Sequence, residues 1–120
     1  EKVRQPFNLS TPAQLVATLA LTDLAPLLEE QITAIVAERE RLATELDRIP
    51  ALACFPSDSN FVLVRYSGEV PELCSALLDL EIAVRQFAHG DERLRNCIRI
   101  TIGTPEENQR LIEALGDILG

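Results

Sequence analysis

The chain has 120 residues, 47% of them apolar, which is enough for one core and too few for two. Its 11 Lys and Arg against 19 Asp and Glu leave a formal net charge of -8, which repels phosphodiester backbones and anionic lipid; nucleic acid and membranes are therefore excluded as partners unless a local basic patch overrides the total. No repeat or low-complexity stretch appears, no apolar run is long enough to cross a bilayer, and no basic-then-apolar leader opens the chain, so a soluble globular domain of cytoplasmic location is expected.

In chain order, the abrupt start Glu1-Lys2-Val3-Arg4, without Met, reads as a piece of a longer protein, and residues 1–10 read as an extended lead-in. A helix then begins sharply: Thr11-Pro12-Ala13-Gln14 offers a hydroxyl N-cap, a proline at the first helical position and a Gln three residues after the cap, and the helix runs to about Thr22. Asp23-Leu24-Ala25-Pro26 resets the chain, because proline lacks a donor and biases the residue before it away from helix. A second helix follows to Ile49, with Leu28, Ile32, Ile35, Leu42, Leu46 and Ile49 as its apolar stripe and Arg39 alone interrupting it. Its length, roughly 35 to 40 Å, exceeds the width of a small domain, so it is expected to pack on something beyond this chain as well.

After Pro50 the pattern changes to short β-branched runs, Phe61–Arg65, Ile82–Gln86 and Cys97–Ile102. A helix from about Pro71 to Leu80, with Leu73, Leu77 and Leu78 as its apolar face, separates the first two runs. Another follows the third, opened by a capping box at Thr104-Pro105-Glu106-Glu107 and striped by Leu111, Ile112, Leu115, Ile118 and Leu119. The order is two helices, strand, helix, strand, strand, helix. The economical packing is α+β: a small, largely antiparallel sheet of three to four strands covered by helices on one face.

Parity places the candidate site. In the third strand Ile98, Ile100 and Ile102 share one face and Cys97, Arg99 and Thr101 the other. In the second, Ile82 and Val84 oppose Ala83 and Arg85, so if the two strands pair, Arg85 and Arg99 lie on one side of the sheet. Two neighbouring guanidiniums repel unless an anion lies between them, and their N–H forks suit phosphate or carboxylate. The competing reading, that each arginine pairs incidentally with a surface Glu or Asp of this acidic chain, stays open on the residues alone.

The other polar residues read more plainly. Asn60, just before a strand, is a turn residue bonding its own backbone; His89, beside Gly90 and without a second ligand at metal spacing, is a solvated loop residue. Arg93 and Arg95 form an exposed charged loop that would steer substrate if an anion site lay nearby. Cys54, Cys74 and Cys97, odd in number and widely spaced, are expected as free thiols of a reducing compartment. Lys2 is the only lysine, and there is no Ser-His-Asp set, metal-ligand pair or glycine-rich phosphate loop, so no complete active site and no catalytic, cofactor-binding or metal residue is assigned.

Four blocks, Arg4-Gln5-Pro6-Phe7-Asn8-Leu9-Ser10, Pro56–Arg65, Ile82-Ala83-Val84-Arg85 and Ile98–Asn108, resemble in order and spacing the C-terminal portion of histidinol-phosphate aminotransferases, over nearly the whole chain. The resemblance implies the small domain of a fold-type I, pyridoxal 5'-phosphate (PLP)-dependent aminotransferase. Residues 1–10 would lead in from a missing large domain, 11–49 would be linking helices, and 50–120 the α+β small domain. It implies that Arg99 holds the substrate's anionic group and that Arg85 contacts the substrate phosphate. It further implies amino transfer between L-histidinol phosphate and 2-oxoglutarate in histidine biosynthesis, by a homodimer whose Schiff-base lysine and PLP site lie upstream, so that the chain alone is inactive. The alternatives are a related PLP enzyme, an aromatic aminotransferase or threonine-phosphate decarboxylase, and a stand-alone module binding a phosphorylated metabolite. One departure from the family pattern is Glu81, where a glycine commonly closes the helix before the Ile-x-Val-Arg strand. A second is the charged, proline-free loop between Arg85 and Arg99.

Overall fold

A computed structural model of the chain describes residues 10–87 and 92–120. Two units emerge, divided between Thr33 and Ala34 within one helix. In the first, α1 (Thr11–Leu21) is capped by Ser10, whose hydroxyl accepts from the Ala13 N–H at 3.4 Å. The cap expected at Thr11 thus lies one residue earlier, because Thr11 is already helical and Ser10 is the last residue with extended backbone. None of α1 is buried. The break falls at residues 22–24, slightly before the reset expected over Asp23-Leu24-Ala25-Pro26: α2 (Ala25–Leu46) already includes Ala25, and Pro26 sits in its first turn, where a missing N–H costs no helical bond.

The second unit is built around a four-stranded antiparallel sheet: β1 (Leu52–Cys54), β2 (Phe61–Tyr66), β3 (Arg85–Gln86) and β4 (Cys97–Thr101), in spatial order β1-β2-β4-β3. Three helical segments, the end of α2, α3 (Val70–Asp79) and α4 (Pro105–Leu119), supply the apolar side chains that cover one face. Val62, Val64, Ile98 and Ile100 from the two central strands meet Leu42 and Leu46 of α2, Leu73 and Leu77 of α3, and Leu111 and Leu115 of α4. Each such aliphatic side chain contributes about 1.5–3 kcal/mol on burial, which makes these helix faces the main force fixing the sheet's covered side. The chain therefore has the α+β fold of a small antiparallel sheet covered by helices.

Several boundaries differ from the expectation. α2 ends at Leu46 rather than Ile49, and the chain turns through residues 47–51 into β1, a three-residue strand too short to announce itself by alternation. Asp47 helps fix that turn, its Oδ1 accepting from the Cys54 N–H at 2.8 Å. In α3 the inward face is Val70, Leu73 and Leu77, whereas Leu78 is 63% exposed; one residue on from Leu77 is a 100° rotation, enough to carry it off the core stripe. β3 is shorter than the run Ile82–Gln86, and the reason is the closure of α3. The Ile82 N–H bonds back to the Leu77 carbonyl at 2.9 Å and the Glu81 N–H to Leu78 at 2.8 Å, the double bond of a Schellman motif with Glu81 at φ 60°. Pairing with β4 begins only at Arg85, although Ile82 and Val84 still pack against the core.

The capping box at the start of α4 is present in full: Thr104 Oγ accepts from Glu107 N–H and Glu107 Oε2 from Thr104 N–H. Beside it, Asn108 is 2% exposed and clamps the loop between β4 and α4. Its carboxamide accepts from the Gly103 N–H (2.9 Å), donates to the Gly103 carbonyl (3.1 Å) and donates to Glu38 Oε2 (3.0 Å). A Cβ at Gly103 would lie 2.6 Å from Glu107 Oε2 and 3.0 Å from Glu107 Cβ, so a side chain there would have to push aside the carboxylate that closes the capping box. Glu38 also accepts from Arg41, whose NH2 lies 2.9 Å away, and these two hydrogen-bonded donors hold its carboxyl below the usual carboxylate range.

Candidate functional site

The face of the sheet turned away from the helices carries the candidate site. Antiparallel pairing of β3 with β4 sets Arg85 directly opposite Arg99; the pairing is the condition under which the parity of the two runs puts both arginines on one side. β2 pairs with β4 so that Leu63 opposes Arg99, Phe61 opposes Thr101 and Arg65 opposes Cys97. Opposed residues share a face, so Arg65, Arg85 and Arg99 lie on it together with Phe61 and Leu63 of β2.

The three arginines differ in surroundings. Arg85 is exposed at the edge strand. Arg65 is exposed, with its guanidinium carbon 5.0 Å above the Phe55 ring. Arg99 is half-buried in the middle of the sheet, with its guanidinium carbon 5.2 Å above the Phe61 ring. Its Nε is shut off from solvent and has no hydrogen-bond partner, the one such side-chain atom among the described residues. No carboxylate pairs with Arg65, Arg85 or Arg99 among the described residues, although the chain is strongly acidic; the ion pairs there join Glu38 to Arg41, Glu45 to Arg48 and Glu81 to Arg110. A guanidinium that no carboxylate pairs keeps its outward N–H donors available to an anion arriving at this face.

Other sequence candidates sort differently. The turn before β2 is closed by Ser57, whose Oγ accepts from Ser59 N–H at 3.1 Å and donates to the Phe61 carbonyl at 2.6 Å; Asn60 contributes its backbone carbonyl, which accepts from Ile102. The side-chain closure expected of Asn60 is therefore made three residues earlier, where the hydroxyl reaches across the turn. Arg93 and Arg95 are exposed, Arg93 in a short 3-10 turn (Glu92–Leu94); His89 lies outside the described residues. Cys54, Cys74 and Cys97 are free thiols, Cys97 buried with its Sγ 3.9 Å from the Arg93 carbonyl. Among the described residues no three His, Cys, Asp or Glu side chains gather as a metal site, and no single helix is long and apolar enough to cross a membrane. The stacking of Arg99 on Phe61 was missed in the sequence. Strand parity applied to Phe61-Val62-Leu63 would have put that ring on the outer face, but only the β2–β4 register brings it under Arg99.

The model of the family described as aminotransferase class I and II matches residues 1–115. The chain belongs to this family. It is 40% identical to the histidinol-phosphate aminotransferase of Aquifex aeolicus over 95% of its own length and 32% of that protein's, so it spans about a third of the length of the curated relatives it matches. Among solved structures, the histidinol-phosphate aminotransferase of Sinorhizobium meliloti in complex with pyridoxal-5'-phosphate superposes on 98% of the chain and 32% of its own, at TM-score 0.76 and 29% identity. The L-threonine-O-3-phosphate decarboxylase of Porphyromonas gingivalis matches 69% of the chain and 26% of its own, at TM-score 0.65 and 27% identity. The aminotransferase fold expected from the four sequence blocks is thus the fold observed.

Proposed function

We propose that the chain is the small domain of a PLP-dependent aminotransferase and that Arg85 and Arg99 anchor the anionic group of its substrate. Residues 1–10 would lead in from the remainder of the protein, 11–49 would link the domains, and 50–120 would form the small domain. The observation that carries the reading is the opposed pair Arg85 and Arg99 on the sheet face opposite the helical core, with the Nε of Arg99 buried and unmatched. Forked guanidiniums on a rigid sheet fix both the place and the orientation of a phosphate or carboxylate, which is how a binding domain contributes to rate in amino transfer.

The described residues do not fit PLP itself: they include no lysine, and Lys2 is the sequence's only one. The cofactor is therefore assigned to the part of the protein beyond this chain, and no step through it is derived from these residues. By itself the chain should bind anions without turning over substrate. Among related activities we favour amino transfer between L-histidinol phosphate and 2-oxoglutarate, in a cytoplasmic homodimer, because relatives bearing that name align with almost all of the chain. The neighbour acting on a phosphorylated threonine supports the second reading, a phosphate-ester decarboxylase using the same arginines.

The test takes the full-length protein with PLP and follows amino transfer from histidinol phosphate to 2-oxoglutarate, alongside carbon dioxide release from threonine phosphate. Transfer without carbon dioxide release supports the first reading, and the reverse result supports the second. Arg99→Ala should raise KM for the phosphorylated substrate at least about tenfold, the cost of removing a charge-assisted contact. An unchanged KM would remove Arg99 from the site.

A further inference from the structure

We propose that Phe61 is a positioning residue for Arg99: its ring shields one face of the guanidinium, keeps water from Nε and turns the remaining N–H fork toward the open side of the sheet. The inference rests on the reading of Arg99 as an anion anchor and adds a residue that the reading does not contain. An arginine side chain has enough rotatable bonds to wander unless something packs against it, and no carboxylate does so here. What does is the Phe61 ring, 5.2 Å from the guanidinium carbon, in the geometry that attracts a cation to an aromatic face.

The ring is itself held in place. Phe61 opens β2, and its carbonyl accepts the Ser57 hydroxyl at 2.6 Å. The neighbouring Ser59 carbonyl accepts Arg39 NH1 of α2 at 3.1 Å, which ties the turn to the helix below the sheet. Phe61 therefore meets Arg99 as a fixed platform, and an incoming anion finds the guanidinium already oriented. The same face holds an internal comparison: Arg65 lies over Phe55 at 5.0 Å, but Arg65 is exposed and has no buried unmatched donor. The two stacks look alike, yet only the one with the desolvated Nε should govern anion affinity.

The experiment uses full-length protein with PLP and compares wild type, Arg99→Ala, Phe61→Leu, Phe61→Tyr and Phe55→Leu. For each, the dissociation constant of inorganic phosphate is measured by calorimetry, together with KM and kcat for the phosphorylated substrate that the protein turns over and the thermal midpoint. Phe61→Leu should weaken phosphate and raise KM about three- to tenfold, with kcat and thermal midpoint close to wild type, because it preserves apolar bulk and removes the π face. Phe61→Tyr should restore both values, and Phe55→Leu should leave them unchanged. If Arg99→Ala weakens phosphate while Phe61→Leu does not, or if Phe61→Tyr is as impaired as Phe61→Leu, the positioning role is overturned and the anion site stands. If Arg99→Ala leaves phosphate affinity untouched, the anion-site reading itself fails, whatever the phenylalanine variants do.

Discussion

Replacing Glu81 by glycine should stabilise the protein. Glu81 is the one non-glycine residue with positive φ among the described residues, at 60°, and it occupies the position of the Schellman turn that glycine fills without a Cβ clash. Holding an L-residue there costs roughly 1–2 kcal/mol. Glycine returns about 0.4–1 kcal/mol of this to the unfolded chain as added entropy, leaving a net gain of about 0.5–1 kcal/mol. Little offsets it in the folded state: the Glu81 side chain is 88% exposed and its one ion pair among the described residues, to Arg110 at 3.7 Å, is a surface contact of little worth. Both turn hydrogen bonds come from the backbone and survive the change. With a urea slope of about 1–1.5 kcal/mol per molar, suited to a domain of this size, the unfolding midpoint should rise about 0.3–1 M. Glu81→Ala, which removes the carboxylate but keeps Cβ, is the control and should gain almost nothing. A Glu81→Gly midpoint equal to or below that of Glu81→Ala would refute the strain argument.

Three further outcomes concern Asn108, Glu38 and Cys54. Asn108→Ala should cost about 2–3 kcal/mol in urea unfolding, since it strands the Gly103 N–H and carbonyl and removes one of the donors to Glu38, whose Oε2 keeps Arg41. Asn108→Asp should do no better at neutral pH, because a carboxylate cannot donate to Gly103 and faces Glu38. Glu38 has a folded-state pKa below its ordinary value, so its stabilising contribution is present above the usual carboxylate range and is lost as pH falls through the depressed folded value. Unfolding midpoints of wild type and Glu38→Gln should accordingly differ at pH 7 and converge in acid; a constant difference would remove Glu38 as the source. Cys54 is pushed up to about 12, by burial first and then by the Asp47 carboxylate beside it. Its thiol should resist alkylation at pH 8 in the folded chain and react freely in urea, and Asp47→Asn should accelerate the folded-state reaction; labelling read by mass spectrometry checks both.

Local chemistry made much of this molecule legible. The Thr104-Pro105-Glu106-Glu107 box, the proline break at Pro26 and the alternation of Ile98, Ile100 and Ile102 are short-range signals whose physics is complete within a few residues, and each element is found where that physics puts it. Parity likewise set Arg85 and Arg99 on one side on condition that their strands pair, because the side-chain period of a strand is a property of its own backbone; the β3–β4 pairing itself is tertiary. What tertiary structure alone decided were matters of register and long-range partnership. β1 exists because β2 offers it an edge and not because Leu52-Ala53-Cys54 has any pattern of its own. β3 shrinks because the Ile82 N–H is taken by the turn that closes α3. Glu38 and Asn108, 70 residues apart in sequence, meet because both α2 and α4 pack on the covered side of the sheet. Phe61 lies under Arg99 because of one pairing register between β2 and β4, and a slip of a single residue would have sent that ring into the core and left the arginine without its platform.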